Sequence, residues 1–205
     1  MKRILSLLLF LAAISSLKAQ NELKHAYYFG SDLSLGNYVG LDLDLNYIYS
    51  EKYSLRMGYS GHIRKSRSVP ADYSSGLLNL MLLDLSQPVD QLENLLLTAG
   101  RIYKLNEKGT IRLNFTVGLG YTTIREPRNW QRSENSFLVE NYTWDYGKYH
   151  TVSLIISPKI EFPFTRLFGL YLSPMLQINK DRTYVGIGIG DIFGVLRNKN
   201  NSSSN

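Results

Sequence analysis

Hydrophobic and polar residues alternate along the segment 39–63, on both sides of a turn centred on Glu51. A period of two residues places each set of side chains on its own face of a β-strand. Folding the segment at Glu51 aligns the apolar positions of its two halves, for example Leu45 with Met57. Each half has about ten residues, the length that a tilted strand needs to cross a bilayer. The segment therefore predicts a hairpin of a transmembrane β-barrel, with its apolar face on lipid.

The same alternation recurs along the rest of the chain and predicts eight strands, at 26–35, 39–49, 53–63, 93–105, 111–122, 151–162, 168–178 and 183–196. Short links follow the second, fourth and sixth strands, whereas the links at 65–91 and 125–147 are long. Outer-membrane barrels have short periplasmic turns and long external loops. We therefore expect an all-β fold, an eight-stranded antiparallel up-and-down transmembrane barrel with two long external loops.

Two residue placements test the predicted registers. Pro158 falls opposite Pro174, which indicates a local kink or bulge because proline cannot donate to the strand ladder. Arg101 falls on the lipid face, opposite Phe115. A lipid-facing arginine costs about 2 to 4 kcal/mol at the bilayer midplane and much less near the interface. We therefore expect Arg101 to lie toward an interface.

The amino terminus has the pattern of a secretory signal peptide, since Met1-Lys2-Arg3 precedes an apolar run that ends near Ala19. We expect a signal peptide at 1–19, the barrel at 20–197 and a disordered polar tail at 198–205. Removing Lys2, Arg3 and Lys18 lowers the formal net charge by three, from +6 to +3, which does not indicate a nucleic-acid partner. The chain has no cysteine, which excludes disulfides and thiolate metal sites.

Charged side chains collect on the predicted inward faces, at Asp42, Asp44, Arg56, His62, Arg112, Lys159 and Glu161. Such a set can act as a proton relay or as an acid/base pair. We interpret it instead as structural filling, because side chains of both signs neutralise one another inside a narrow barrel. An eight-stranded barrel is just wide enough for its own side chains, which disfavours a diffusion porin. We expect no cofactor and no metal.

The second long link contains the residue types that most often anchor a binding surface, at Arg128, Trp130, Arg132, Tyr142 and Trp144. We expect an external protein or ligand to bind there, although external loops can also simply cap a barrel. The leucine-rich stretch 77–85 in the first long link fits a helix, a strand extension or a plug equally well.

In its overall pattern, and in the run YVGIGIG at 184–190, the chain resembles the small eight-stranded outer-membrane β-barrel proteins of Gram-negative bacteria. The junction Lys18-Ala19-Gln20 is similar to signal-peptide ends of the Bacteroidota. The resemblance implies a location in the outer membrane, contact with its lipid including lipopolysaccharide, and a structural or binding role through the external loops. We expect a monomer.

The sequence leaves open two alternatives to a non-enzymatic membrane barrel. Some barrels of this superfamily edit lipid A, and the deacylase type carries a His-x-Ser pair on a lipid-facing strand, which makes His150 a candidate base. The matching position holds Val152, and Ser153 points to the opposite face, so we expect no enzyme. The second alternative is a soluble exported β-sandwich, in which the apolar faces would pack against each other.

Overall fold

The computed structural model describes residues 25–76, 87–107, 109–133 and 140–196. The predicted signal peptide, the stretch 77–85 and the polar tail lie outside these residues. Eight strands lie within them, namely β1 His25–Gly36, β2 Val39–Tyr49, β3 Tyr53–Lys65, β4 Val89–Lys104, β5 Arg112–Arg132, β6 Tyr142–Phe162, β7 Phe168–Ile178 and β8 Thr183–Gly194. In the described part of the chain, no helix is long and apolar enough to span a bilayer.

The sheet closes on itself. Each strand pairs antiparallel with the next one along the chain, and β1 pairs with β8. Closure leaves neither β1 nor β8 as a free sheet edge. Hydrocarbon requires this because it offers no water to bind the N–H and C=O groups of an unpaired strand. The predicted strand number and topology are confirmed, as is the predicted pairing of Leu45 with Met57.

Polar side chains fill the middle of the ring, buried apolar clusters lie inside its two ends, and apolar side chains cover its outside. On β2, Asp42 and Asp44 are buried, whereas Leu41 and Leu45 on the alternate positions are exposed. A soluble β-sandwich buries its apolar faces against each other. The β-sandwich alternative is therefore wrong, and the fold is a transmembrane β-barrel.

The end of the barrel that carries the short turns is rich in exposed aromatic rings, at Tyr49, Tyr53, Tyr103, Phe164 and Phe168. Such rings concentrate where a membrane meets water, because they combine an apolar body with affinity for the headgroup region. We call this end the short-turn end and the opposite end the long-loop end.

Both register tests agree with the predictions. The β6–β7 ladder is interrupted between the pairs Ile156–Leu176 and Ile160–Leu172, at the place where the two prolines face each other. Arg101 lies opposite Phe115 on the outer face. Its guanidinium lies 5.6 Å from the ring centre of Tyr103, which is two residues nearer the short-turn end.

The second long link is not a loop, and this part of the prediction is wrong. β5 continues to Arg132 and β6 begins at Tyr142, so the β5–β6 hairpin extends well beyond the neighbouring strands. The apolar alternation ends at Ile124, which is buried, and the register then shifts between Arg128 and Gln131, where Asn129 has a φ of 55°. Such a bulge moves the following side chains to the other face.

An arginine placed on the outer face tests the lipid contact. Leu119 is 59% exposed and lies between Val117 and Tyr121 in the middle of the apolar band. We expect Leu119→Arg to lower the free energy of unfolding in lipid vesicles by about 2 to 4 kcal/mol. The control Leu105→Arg, at the short-turn end, should cost about 0 to 1 kcal/mol. Equal effects in urea titrations of the two variants would contradict the membrane depth assigned here.

Candidate functional site

The centre of the barrel is occupied by a buried ionic cluster. Asp44 accepts a hydrogen bond from Lys159 Nζ at 2.6 Å, and its other neighbour, Arg56 Nε, lies 3.2 Å away. Arg56 also donates to Ser157 Oγ at 2.8 Å. One carboxylate thus faces two cations, all of them shielded from solvent. Charges in such surroundings persist only when they are paired.

A second group lies above this cluster, toward the long-loop end. His62 Nε2 lies 3.3 Å from Asp42 Oδ2 and 3.0 Å from Ser34 Oγ, and its ring stacks on Tyr184. Asp32 accepts a hydrogen bond from Tyr171 at 2.6 Å. Asp32 is absent from the predicted interior set, although its position on an inward face of the first strand was a signal for it.

A third group closes the short-turn end. Arg112 Nε donates to Glu161, which also accepts hydrogen bonds from Tyr28 and Asn114. Arg112 reaches the backbone oxygen of Leu196 at 2.9 Å. All seven predicted interior charges therefore lie inside the barrel, and they bind one another. Among the described residues, no group of three or more His, Asp or Glu side chains is arranged to hold a metal ion.

The candidate base His150 lies on the outer face. Its Nδ1 is 3.0 Å from Thr123 Oγ1, and its ring stacks on Tyr121 with 5.3 Å between centres. Ser153 lies inside the barrel, where it hydrogen-bonds Thr122 and Gln177. The barrel wall thus separates this histidine from that serine.

At the long-loop end, three of the five predicted surface residues form an aromatic cluster with a ring from the other long link. Trp130 and Trp144 lie 5.3 Å apart, and Tyr73 packs edge-on against both, at 5.9 and 6.0 Å. Tyr142 also packs on Trp130. Its hydroxyl donates to Asp72 at 2.8 Å, and this hydrogen bond raises the pKa of Tyr142.

The other two predicted surface residues are arginines on the same hairpin. Arg132 is 4.0 Å from Asp72, at the edge of the aromatic cluster. Arg128 lies lower on the hairpin, with its guanidinium 5.5 Å from the ring centre of Tyr149 and its Nη2 3.4 Å from Glu126. Arg132 therefore borders the aromatic cluster, and Arg128 is the one of the five predicted residues that lies apart from it.

The long-loop end also holds a cavity that the sequence did not predict. It has a volume of about 280 Å³ and is lined by Asn37, Arg64, Arg67, Asp181, Arg182 and Thr183. We call it the arginine cavity. These residues come from the β1–β2 turn, the end of β3 with its following link, and the β7–β8 turn. Only closure of the barrel brings these segments together.

The cavity combines satisfied and unsatisfied polar groups. Arg64 donates to Asp90 at 2.8 Å, and Arg182 donates to Glu126. Arg67 has no ion pair with any described residue. Arg182 Nε and one oxygen of Asp181 are buried without a hydrogen-bond partner among the described residues. The cavity therefore offers guanidinium donors together with one carboxylate acceptor.

Comparison with known proteins gives a likeness of fold. No protein-family model matches the sequence, and no curated protein matches it significantly. The N-terminal β-barrel domain of OprF from Pseudomonas aeruginosa is 14% identical, with 85% of this chain and 99% of that chain covered and a TM-score of 0.51. The attachment invasion locus protein Ail of Yersinia pestis is 13% identical, with 84% and 97% covered and a TM-score of 0.49.

The fold is that of the small outer-membrane β-barrels. Within this fold, the charged residues that sequence patterning placed inside the wall lie in the lumen. At the long-loop end, the arginine cavity combines an opening to solvent with two unsatisfied polar atoms, Arg182 Nε and one oxygen of Asp181.

Removing the central carboxylate should destabilise the barrel. Asp44→Ala leaves Arg56 and Lys159 buried without their counter-charge, and we expect a loss of about 3 to 5 kcal/mol in the free energy of unfolding. The matched control is Lys104→Gln, which breaks the exposed Lys104–Glu51 pair at the short-turn end. That change should cost about 0 to 1 kcal/mol. Urea unfolding in vesicles measures both, and similar losses would show that the central cluster contributes no more than a surface pair.

Proposed function

We propose that the protein is an integral outer-membrane barrel that conducts no solutes and binds an anionic ligand at its long-loop end, outside the cell. The amino-terminal pattern supports export, and the Lys18-Ala19-Gln20 junction supports a bacterium of the Bacteroidota type. The apolar outer face is in contact with outer-membrane lipid, including lipopolysaccharide on the external leaflet. The filled lumen supports a role other than that of a porin.

The arginine cavity is the binding site in this proposal. The single observation that carries it is Arg67, which lines the cavity and has no ion pair with a described residue. A guanidinium presents its N–H groups as a fork that fits phosphate, sulfate and carboxylate oxygens. A volume of about 280 Å³ suits a small group such as a phosphate or a sugar phosphate.

The protruding hairpin supports this site by holding the link that carries Arg67. Ser68, the next residue, donates to the backbone oxygen of Pro127 at 2.9 Å and receives the indole N–H of Trp130 at 3.3 Å. Asn141 hydrogen-bonds the backbone oxygen of Asp72 and the backbone N–H of Ser74. In this proposal the aromatic cluster positions the link that carries Arg67, and the arginine cavity binds the anionic ligand.

We also propose that the protein is not an enzyme. The support is chemical. A hydrolase of the deacylase type pairs its histidine with a serine, and the nearby serine on the strand of His150, Ser153, points into the lumen, where Thr122 and Gln177 bind it. The buried carboxylates Asp44 and Glu161 pair with buried cations. Asp32 and Asp42 bind Tyr171 and His62 inside the lumen, so none of the four is directed at a substrate.

Orientation can be measured with single cysteines because the chain has none of its own. Thr143 is exposed on the hairpin, and Lys52 is exposed in the β2–β3 turn. A membrane-impermeant maleimide should label Thr143→Cys on intact cells, whereas Lys52→Cys should react only after the outer membrane is permeabilised. The reverse pattern, or equal labelling of both, would contradict the proposed orientation.

Binding can be measured by calorimetry on purified protein in nanodiscs, with inorganic pyrophosphate as the probe. We expect Arg67→Gln to weaken binding about tenfold or more, because a charge-assisted hydrogen bond contributes about 1.5 to 3 kcal/mol. Arg132→Gln, on the hairpin outside the cavity, should bind like the parent. No binding by the parent, or equal binding by both variants, would rule out the arginine cavity as an anion site.

A further inference from the structure

A carboxylate faces outward within the apolar band of the barrel. Asp191 lies on the outer face of β8 between Ile189 and Phe193, which are 66% and 60% exposed. Ser31 on β1 donates a hydrogen bond to it at 2.8 Å. A carboxylate can accept about four hydrogen bonds, so one hydroxyl leaves most of its capacity unused. Ionisable groups in this position are rare because hydrocarbon solvates them poorly.

An arginine faces outward on the other side of the barrel. Arg101 on β4 has Tyr53 and Phe115 as its cross-strand neighbours, and Tyr103 lies beneath its guanidinium. It has no ion pair with any described residue. Its five N–H donors therefore face aromatic rings and lipid.

The two charges lie at the same depth in the membrane. β4 runs toward the short-turn end and ends at Lys104, three residues after Arg101. β8 ends at Gly194, three residues after Asp191, and there Gly194 N–H donates to Leu167 in the β6–β7 turn. Three residues of a tilted strand correspond to about 7 Å along the barrel axis. Each charge also has an exposed aromatic residue two positions below it.

The two charges cannot meet within one barrel, because β4 and β8 are four strands apart in a closed ring of eight. In a second copy of the chain in the same membrane, orientation and depth are identical. Arg101 of one copy then lies level with Asp191 of a neighbour. We propose that the barrel associates laterally with copies of itself, with the β4 face of one copy against the β8–β1 face of the next, through an Arg101–Asp191 ion pair.

The arrangement determines the type of assembly. The two contacting faces differ and lie on opposite sides of the ring, so the interface is heterologous and each added copy presents a fresh face. The assembly is therefore a row that grows at both ends, whereas a two-fold contact would stop at a dimer. The sequence led us to expect a monomer, and these two lipid-facing charges are the reason for this different proposal. It does not depend on the arginine cavity.

Disulfide cross-linking in native membranes tests the row. Tyr103→Cys together with Phe193→Cys places one thiol beside each charge, in a chain that is otherwise free of cysteine. Oxidation should give a ladder of dimers, trimers and higher species on a denaturing gel. The control pair Leu45→Cys with Ile160→Cys, on the opposite strands β2 and β6, should remain monomeric.

Charge variants then test the ion pair itself. Asp191→Asn or Arg101→Gln should remove the dimer and the larger species together, because each contact in the row uses the same ion pair, and the double exchange Asp191→Arg with Arg101→Asp should restore them. A heat-dependent gel shift verifies that each variant is folded. The proposal is overturned if the ladder matches that of the control pair, if it stops at the dimer, or if the single charge variants leave it unchanged.

Discussion

The structure depends on one constraint: inside hydrocarbon, each backbone N–H and C=O group must find its partner within the protein. A sheet meets that requirement only when its first and last strands pair, as β1 and β8 do here. Closure then determines the direction in which each side chain points. Alternate positions must face either lipid or a narrow lumen, which explains why Leu41 and Leu45 cover the outside while Asp42 and Asp44 lie within.

The narrow lumen restricts where function can lie. The cations Arg56 and Lys159 share Asp44, and Arg112 pairs with Glu161, so the interior groups are engaged with one another. A buried ion pair is weak evidence of a stabilising role, since desolvation offsets much of the attraction between the charges. Its effect here is to neutralise the charges in the middle of the lumen, between the buried apolar clusters at its two ends. Groups that bind other molecules must therefore lie at the ends of the barrel or on its outer face.

The strand registers could be predicted from the sequence, because a slip of one residue would move every side chain to the wrong face. The pairing of Leu45 with Met57 and the facing prolines at 158 and 174 follow from this rule. The extended hairpin could not be predicted, since beyond Ile124 its two strands lack the apolar alternation that marks the strands in contact with lipid. The arginine cavity could not be predicted either. Arg64 and Arg182 are distant in sequence and meet only at the mouth of the closed barrel.

The central claim is that the outer face contacts hydrocarbon while the inner face contacts neither lipid nor bulk water. Spin labels on single cysteines along β5 test it most directly, through collisions with oxygen, which concentrates in lipid, and with a water-soluble nickel complex. Labels at Val117, Leu119 and Tyr121 should collide often with oxygen and rarely with nickel, and labels at Thr116 and Thr122 should collide rarely with both. Frequent nickel collisions at Leu119, or the loss of the two-residue period, would contradict the account.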